Sequence, residues 1–292
     1  MSVSKRFDTF LSNLRLTEPQ KASGASLKES VVKALNYEYY GWTSGTSNSQ
    51  YVGSWAKRTR IRPPRDVDVT FVLPQSVRTK YDGRAGNRQS QLLQEVRSVL
   101  LRSFPSTAIR GDGPVVLVPF SAFNVELIPC FASVSGGYDV CFTNNGGRYK
   151  RADYGAESGS ITSSNSATDG NTRDLIRMMK RWQSYCNVPL KSFFIELIAI
   201  EFLSTWGNAG KTTVYYDWMC RDFLRFLIGK QNTFLFAPGT YELMFTGSSW
   251  VSKAESAHGR ASKACEYEGN SATYLAGDEW QKIFGTDIPR SV

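Results

Sequence analysis

Three acidic side chains lie in two stretches that otherwise have the apolar pattern of buried strands. Asp66 and Asp68 open the segment DVDVTFVL, and alternate residues of a strand point to one face, so both carboxylates project together. Glu126 interrupts the apolar segment FNVELIP. Neighbouring carboxylates repel one another and usually hold a cation, and ligand sets made only of oxygen suit Mg²⁺ or Mn²⁺. The alternatives are a solvated strand edge for the pair and an exposed outer sheet face for Glu126.

A candidate phosphate-binding element, Gly53-Ser54, precedes these acids by about a dozen residues. A glycine before a serine at a helix N-terminus lets phosphate oxygens reach backbone N–H groups, and the hydroxyl adds a donor. The alternative is an ordinary turn. Four arginines between this element and the acids could hold nucleotide phosphates or balance charge: Arg58, Arg60, Arg62 and Arg65.

Composition excludes several kinds of chemistry. The chain has 292 residues and one histidine, His258, which cannot supply a three-histidine zinc site or an HExxH metalloprotease motif. The formal net charge of +9 favours anionic partners. The five cysteines form no CxxC pair and indicate reduced thiols in a cytoplasmic protein. The most apolar run, Phe193 to Leu203, is interrupted by two glutamates and is too short to span a membrane, and the charged first residues, with no apolar segment after them, predict no signal peptide.

The elements that position these residues follow from hydrophobic periodicity. Apolar residues at helical spacing predict a first helix around Phe7 to Leu14, and a second that begins at an N-cap, Ser26, with Glu29 in capping-box position. The other predicted strands and helices are strands 67–73, 115–118 and 123–128 and helices 87–104, 171–185 (opened by Asn171), 192–206, about 219–229 and 278–284.

Residues 144–172 are almost entirely small and polar, which favours a flexible loop or lid. The predicted organisation is therefore N-terminal helices over residues 1–37, an α/β catalytic lobe over 38–145 and a helical lobe over 146–292. We expect two lobes around one active site in the cleft between them.

Together the motifs resemble the GS…DxD…D/E pattern of polymerase-β-like nucleotidyltransferases. More narrowly, GSWAKRTRI…RDVDVTFVLP, FNVELIPCF and LIRMMKRWQ are similar to the bacterial cGAS/DncV-like nucleotidyltransferases (CD-NTases). The resemblance implies an α+β fold: a mixed sheet with helices, joined to a C-terminal helical lobe of oligoadenylate-synthetase type. Two departures stand out. The third acid is Glu126 rather than the usual Asp, and the family's DP…P…N pattern is not visible around Thr246 to Trp250.

The resemblance also implies a mechanism and site residues. Such enzymes use two Mg²⁺ ions (Mn²⁺ as a substitute), which would be held by Asp66, Asp68 and Glu126 while a nucleotide hydroxyl attacks the α-phosphorus of ATP or another ribonucleoside triphosphate and pyrophosphate leaves. Lys180 and Ser192 match residues that contact the triphosphate in relatives. The alternative for Lys180 is a solvated basic helix face.

The function implied is synthesis of a cyclic di- or trinucleotide second messenger for anti-phage (CBASS-type) signalling. A downstream effector and a regulatory protein are the implied partners, and nucleic-acid binding is not expected to be required. The alternatives are a linear oligonucleotide synthetase, an RNA-tailing nucleotidyltransferase using the same acids, or a non-catalytic nucleic-acid-binding module.

Overall fold

The structure is a computed structural model, and it describes residues 2–64 and 66–292. Its helices are α1 (Ser2–Leu14), α2 (Glu18–Tyr40), α3 (Gly53–Lys57), α4 (Gln75–Asp82), α5 (Arg88–Ser103), α6 (Tyr154–Ala167), α7 (Asn171–Tyr185), α8 (Ser192–Thr205), α9 (Tyr216–Ile228), α10 (Val251–Gly269) and α11 (Thr273–Phe284). Its strands are β1 (Ser49–Tyr51), β2 (Asp66–Val72), β3 (Arg110–Asp112), β4 (Val115–Pro119), β5 (Asn124–Ala132), β6 (Tyr138–Phe142), β7 (Arg148–Ala152), β8 (Phe234–Phe236) and β9 (Leu243–Phe245). This mixed α+β architecture confirms the predicted fold class.

The chain forms two compact units. The sheet unit comprises Leu16–Arg58 and Pro64–Ser158, and the helical unit comprises Met1–Arg15, Thr59–Pro63 and Gly159–Val292. These bounds differ from the predicted ones at residues 37 and 145. The first helix clusters with the helical unit because Phe7 and Phe10 pack against the rings of Trp280 and Phe284, with ring centroids 5.3 and 4.8 Å apart. Periodicity identified the apolar stripe of α1 but could not identify what covers it.

In the sheet unit, β2 and β5 form the parallel centre of a mixed seven-stranded sheet. The strand order is β1-β2-β5-β4-β3, with β6 and β7 continuing from the far end of β5. Helices α2 and α5 cover one face through a shared apolar core. Alternation along β2 and β5 turns Val67, Val69, Val125 and Leu127 into that core, where all four are fully buried.

The N-cap of helix α2 lies nine residues before the predicted one, at Thr17 instead of Ser26. Thr17 accepts a hydrogen bond from the Gln20 backbone N–H, and the Gln20 side chain accepts one from the Thr17 N–H, which is a complete capping box. Ser26 therefore lies inside the helix, and the prediction that it caps the helix was wrong. The helix passes closely over the sheet unit at Gly24, where a Cβ atom would lie 2.4 Å from the ring of Trp55.

The predicted loop or lid over residues 144–172 is instead ordered as β7 and α6, so that prediction was wrong. The side chain of Asp153 accepts a hydrogen bond from the Ala156 N–H and so caps the N-terminus of α6. Ile161 is buried on the inner face of α6. Just after the C-terminal end of α6, the hydroxyl of Thr168 lies 2.8 Å from that of Thr172. A hydrogen bond between two hydroxyl groups therefore stands where an amphipathic helix would have an apolar contact. Residues 154–167 therefore form a helix stabilised by local hydrogen bonds, although their composition is typical of loops.

The helical unit is built around α7, α8, α9, α10 and α11, with Trp182, Trp250 and Trp280 fully buried in one core. Helix α7 has the predicted bounds but begins after Gly170 rather than at an asparagine cap. The Asn171 side chain instead donates to the carbonyls of Ala209 and Lys211. All five cysteines are free, and four of them are buried. In the described part of the chain, no helix is both long and apolar enough to cross a membrane.

Candidate active site

The register of the two central strands places the predicted acids side by side. In the parallel β2–β5 pair, Asp68 lies opposite Glu126 and Asp66 lies opposite Asn124. Because side chains alternate, all four project from the face opposite the apolar core. The sequence pattern therefore identified three carboxylates that the fold brings onto adjacent positions of one sheet surface.

Electrostatics set Glu126 apart from an ordinary exposed carboxylate. Partial burial, the charges of Asp68 and Asp66, and a hydrogen bond to Asp68 raise the pKa of Glu126 to about 7. The hydrogen bond favours the neutral form, in which the protonated Glu126 carboxyl donates a hydrogen bond to the Asp68 carboxylate. The three acids thus form a shared negative charge that a bound cation would stabilise. A solvated carboxylate on an outer sheet face would not have its pKa raised in this way.

The predicted Gly53-Ser54 element lies directly against these acids. Strand β1 pairs antiparallel with β2, the Val52 N–H donates to the Asp68 carbonyl at 3.0 Å, and α3 begins at the next residue. Gly53 has φ +53°, and a Cβ atom there would lie 2.3 Å from Oδ2 of Asp68. Only glycine permits this backbone to approach the carboxylate so closely. Ser54 follows inside the first turn of α3, half-buried.

Asn124, which was not among the predicted site residues, lies beside the acids. Its side-chain amide donates to Oδ1 of Asp66 at 3.0 Å. It also lines a cavity of about 390 Å³ together with Asp66, Pro64 and the loop from Phe120 to Phe123. The available signal was its position two residues before Glu126, which places both side chains on one strand face.

The donor chemistry of the site fits a hard divalent cation. In residues 2–64 and 66–292, no group of three or more His, Cys, Asp or Glu side chains is already arranged as a metal site. The three acids nevertheless offer only oxygen donors, and burial together with the charges of Asp68 and Asp66 raises the pKa of Glu126 to about 7. Oxygen-only carboxylate sets of this kind suit Mg²⁺ or Mn²⁺.

Lys180 and Ser192 lie in the helical unit and are already engaged there. The ammonium of Lys180 donates to Oε1 of Glu196 at 2.6 Å and to the hydroxyl of Thr59 at 2.9 Å, and all three side chains are buried. Lys180 is therefore not on a solvated basic face. Ser192 is the first residue of α8, and its hydroxyl lies 2.8 Å from Oε1 of Gln183.

The candidate arginines divide between several environments. Arg58 ends α3 with φ +58°. The Arg62 guanidinium donates to the Ser12 carbonyl at 2.7 Å, so it holds the end of α1. Arg60 also belongs to the helical unit. Arg65 lies outside the described residues.

The sequence as a whole is similar to proteins of known family. The sequence pattern of the Second Messenger Oligonucleotide or Dinucleotide Synthetase domain matches residues 1–165. A CBASS oligonucleotide cyclase, CdnC, of Escherichia coli (strain KTE188) is 26% identical over 185 residues, which is 60% of this chain and 55% of that protein. The chain therefore spans about half the length of this relative.

Solved structures share the fold at low sequence identity. The Vibrio cholerae cyclic AMP-GMP synthase DncV, in complex with nonhydrolyzable GTP, superimposes with a TM-score of 0.78 at 13% identity, covering 98% of this chain and 95% of that one. The E. coli MS115-1 CdnC:HORMA-deltaN complex gives a TM-score of 0.70 at 17% identity, with 98% of both chains covered.

Proposed function

The chain belongs to the Second Messenger Oligonucleotide or Dinucleotide Synthetase family, and from that premise we propose that it condenses ribonucleoside triphosphates into a cyclic di- or trinucleotide messenger for anti-phage signalling. The observation that carries the proposal is the placement of Asp66, Asp68 and Glu126 on one face of paired parallel strands. The CdnC and DncV relatives, named as an oligonucleotide cyclase and a cyclic AMP-GMP synthase, support the same reaction class.

The reaction needs no histidine. Asp66, Asp68 and Glu126 would hold two divalent cations, Mg²⁺ with Mn²⁺ as a substitute, which when bound supply charge neutralisation at the triphosphate and at the attacking hydroxyl. The proton on Glu126 must leave before its carboxylate can act as a ligand, so the site is poised to exchange a proton for a cation. Asn124 keeps the Asp66 carboxylate oriented through its 3.0 Å hydrogen bond.

Gly53 and Ser54 are proposed to receive the donor triphosphate. The absence of a Cβ atom at Gly53 leaves the backbone in contact with Asp68, so phosphate oxygens can reach the amide groups of α3 beside the acids. Lys180 and Ser192 remain proposed triphosphate contacts. For Lys180 this requires the ammonium to exchange its bonds to Glu196 and Thr59 for phosphate oxygens.

A regulatory protein and a downstream effector are proposed as partners. The structural likeness to CdnC in its complex with HORMA-deltaN supports a regulator of that class. The effector would receive the cyclic product, and no nucleic acid is required for the reaction. Adding double-stranded DNA should therefore leave the rate of triphosphate consumption unchanged.

The test is a product analysis. The purified chain is incubated with all four ribonucleoside triphosphates and Mg²⁺, the mixture is treated with phosphatase, and the products are digested with linkage-specific nucleases and identified by mass spectrometry. Phosphatase-resistant products without free ends support cyclisation. A ladder of linear oligonucleotides, or extension of an added RNA, would establish a linear synthetase or a tailing enzyme instead.

A matched pair of variants assigns the product to this site. Asp68→Asn should abolish triphosphate consumption while the circular dichroism spectrum stays unchanged. Asp169→Asn is the control, because Asp169 is exposed between α6 and α7 at φ +55°, a conformation that asparagine tolerates well. Full turnover by Asp68→Asn would show that the acids have been wrongly assigned.

A further inference from the structure

The hairpin formed by β8 and β9 presents an unusual concentration of large apolar side chains to solvent. Phe234, Phe236, Leu243 and Phe245 are between 55% and 60% exposed. Cross-strand pairing places Phe234 opposite Phe245 and Phe236 opposite Leu243, so the four side chains form one continuous face. We call this set the hairpin face. Isolated exposed apolar residues are common, but a contiguous patch usually marks an interaction site.

The hairpin face is held in a defined conformation by contacts within the hairpin and with the helical unit. The rings of Phe234 and Phe245 contact each other with centroids 5.3 Å apart. The opposite side of the hairpin is anchored in the helical unit, where Leu235 is buried and Met244 packs against the core. The Thr246 hydroxyl, which donates to the Lys230 carbonyl at 2.7 Å, fixes the base of the hairpin. The exposed side chains are therefore held in place without help from a ligand.

We propose that the hairpin face is the contact surface of a homodimer, in which it packs face to face against the same surface of a second copy of this chain. The hairpin face contains no charged side chain, and Glu242 is the one charged residue in the segment 232–247. A partner selected by charge, such as a nucleic acid, would have almost nothing to recognise there. An apolar surface is complementary to itself, and a two-fold axis lets the same patch serve both copies.

The area is sufficient for a specific dimer. With about 200 Å² for each large side chain, the hairpin face exposes roughly 450 Å² per chain, or roughly 900 Å² for two copies. Tyr241, in the turn between the strands, is a further aromatic side chain that is 77% exposed. With Tyr241 included, the buried area passes the roughly 1,000 Å² that a specific protein interface needs. Two sheets of this kind stack about 10 Å apart with interdigitated side chains.

The test measures mass in solution by size-exclusion chromatography with light scattering, so it is independent of the proposed enzymatic activity. At micromolar concentration the unaltered chain should have twice its 32.7 kDa monomer mass. The double variant Phe234→Ser/Phe245→Ser and the single variant Phe236→Lys should both be monomeric. The matched control is Leu275→Ser, which removes a side chain that is 48% exposed on α11 in the same unit, and it should stay dimeric.

Circular dichroism of each variant separates loss of the dimer from loss of the fold, and Phe236→Lys provides a second, smaller change if the double variant unfolds. An unaltered chain that is monomeric at this concentration would overturn the proposal, as would a dimer that both hairpin variants preserve. A monomer that co-floats with phosphatidylcholine vesicles through these side chains would assign the surface to a membrane, and would also overturn it.

Discussion

Replacing Gly53 by alanine should test whether the Gly-Ser element and the acids form one site. Two costs are expected. Alanine at φ +53° adopts the left-handed conformation, which costs about 1–2 kcal/mol. Its Cβ atom would also lie 2.3 Å from Oδ2 of Asp68, so the carboxylate must move, and overpacking of this kind costs roughly 1–3 kcal/mol.

The two costs can be separated within the same unit. Gly41 has φ +76° at the end of α2, and a Cβ atom there would contact nothing within 4 Å. Gly41→Ala should therefore lose only the conformational part of the free energy of unfolding, whereas Gly53→Ala should lose both parts. In an Asp68→Ala background the cost of Gly53→Ala should fall close to that of Gly41→Ala, since the overlapping carboxylate is gone and only the Cβ atom of residue 68 remains, at 3.3 Å.

The assay is urea-induced unfolding followed by circular dichroism for the two glycine variants and for the double-mutant cycle with Asp68→Ala. The cycle should give a coupling of roughly 1–3 kcal/mol between positions 53 and 68. An unchanged cost of Gly53→Ala in the two backgrounds would refute the reasoning, because the steric overlap with Asp68 would then contribute nothing.

Three further predictions concern stability. Because Glu126 has a pKa raised from 4.5 to about 7 in the folded chain, the folded state binds the extra proton and the free energy of unfolding should fall as pH rises from about 4.5 to about 7. The partly solvated carboxyl should contribute roughly 1–2 kcal/mol rather than the full value of the shift, and urea unfolding of Glu126→Gln should lack this slope; an unchanged slope would contradict the assignment. Thr17→Ala should cost about 1 kcal/mol through loss of the α2 cap, whereas Ser26→Ala inside the helix should change the free energy of unfolding by no more than about 0.5 kcal/mol, and the reverse order in denaturant unfolding would restore the sequence-based cap. Lys180→Met should cost about 3–5 kcal/mol because it removes the ammonium that pairs with the buried Glu196 carboxylate, and Lys180→Met/Glu196→Leu should recover most of that loss in the same assay; a double variant less stable than Lys180→Met alone would show that the pair is not an isolated unit.

Much of the site could be predicted from the sequence because it depends on local periodicity. The two-residue repeat of a strand fixes Asp66 and Asp68 on one face and turns Val67 and Val69 to the other, whatever the rest of the chain does. The same repeat identified Glu126 as a charge in a buried strand. Helical spacing likewise predicted α5 and α7 closely, because an amphipathic stripe is a local property.

Local patterns failed where hydrogen bonds replaced apolar contacts or where two caps competed. Helix α6 is composed of small polar residues that typically form loops, and the Asp153 cap with the buried Ile161 stabilises it as a helix. The start of α2 was placed at Ser26 because its pattern with Glu29 is a plausible capping box. Thr17 forms the actual cap because Gln20 completes both reciprocal hydrogen bonds.

The sequence by itself determined the acids, their shared strand face, the family and the class of chemistry. Only the tertiary structure decided their neighbours: Gly53 against Asp68, Asn124 bonded to Asp66, and Lys180 buried with Glu196. These pairings join residues that are between 15 and 58 positions apart in the sequence. Each depends on how strands and helices align after the chain has folded. Periodicity along the sequence determines the direction in which a side chain points, whereas the packing of strands and helices determines which residues it contacts.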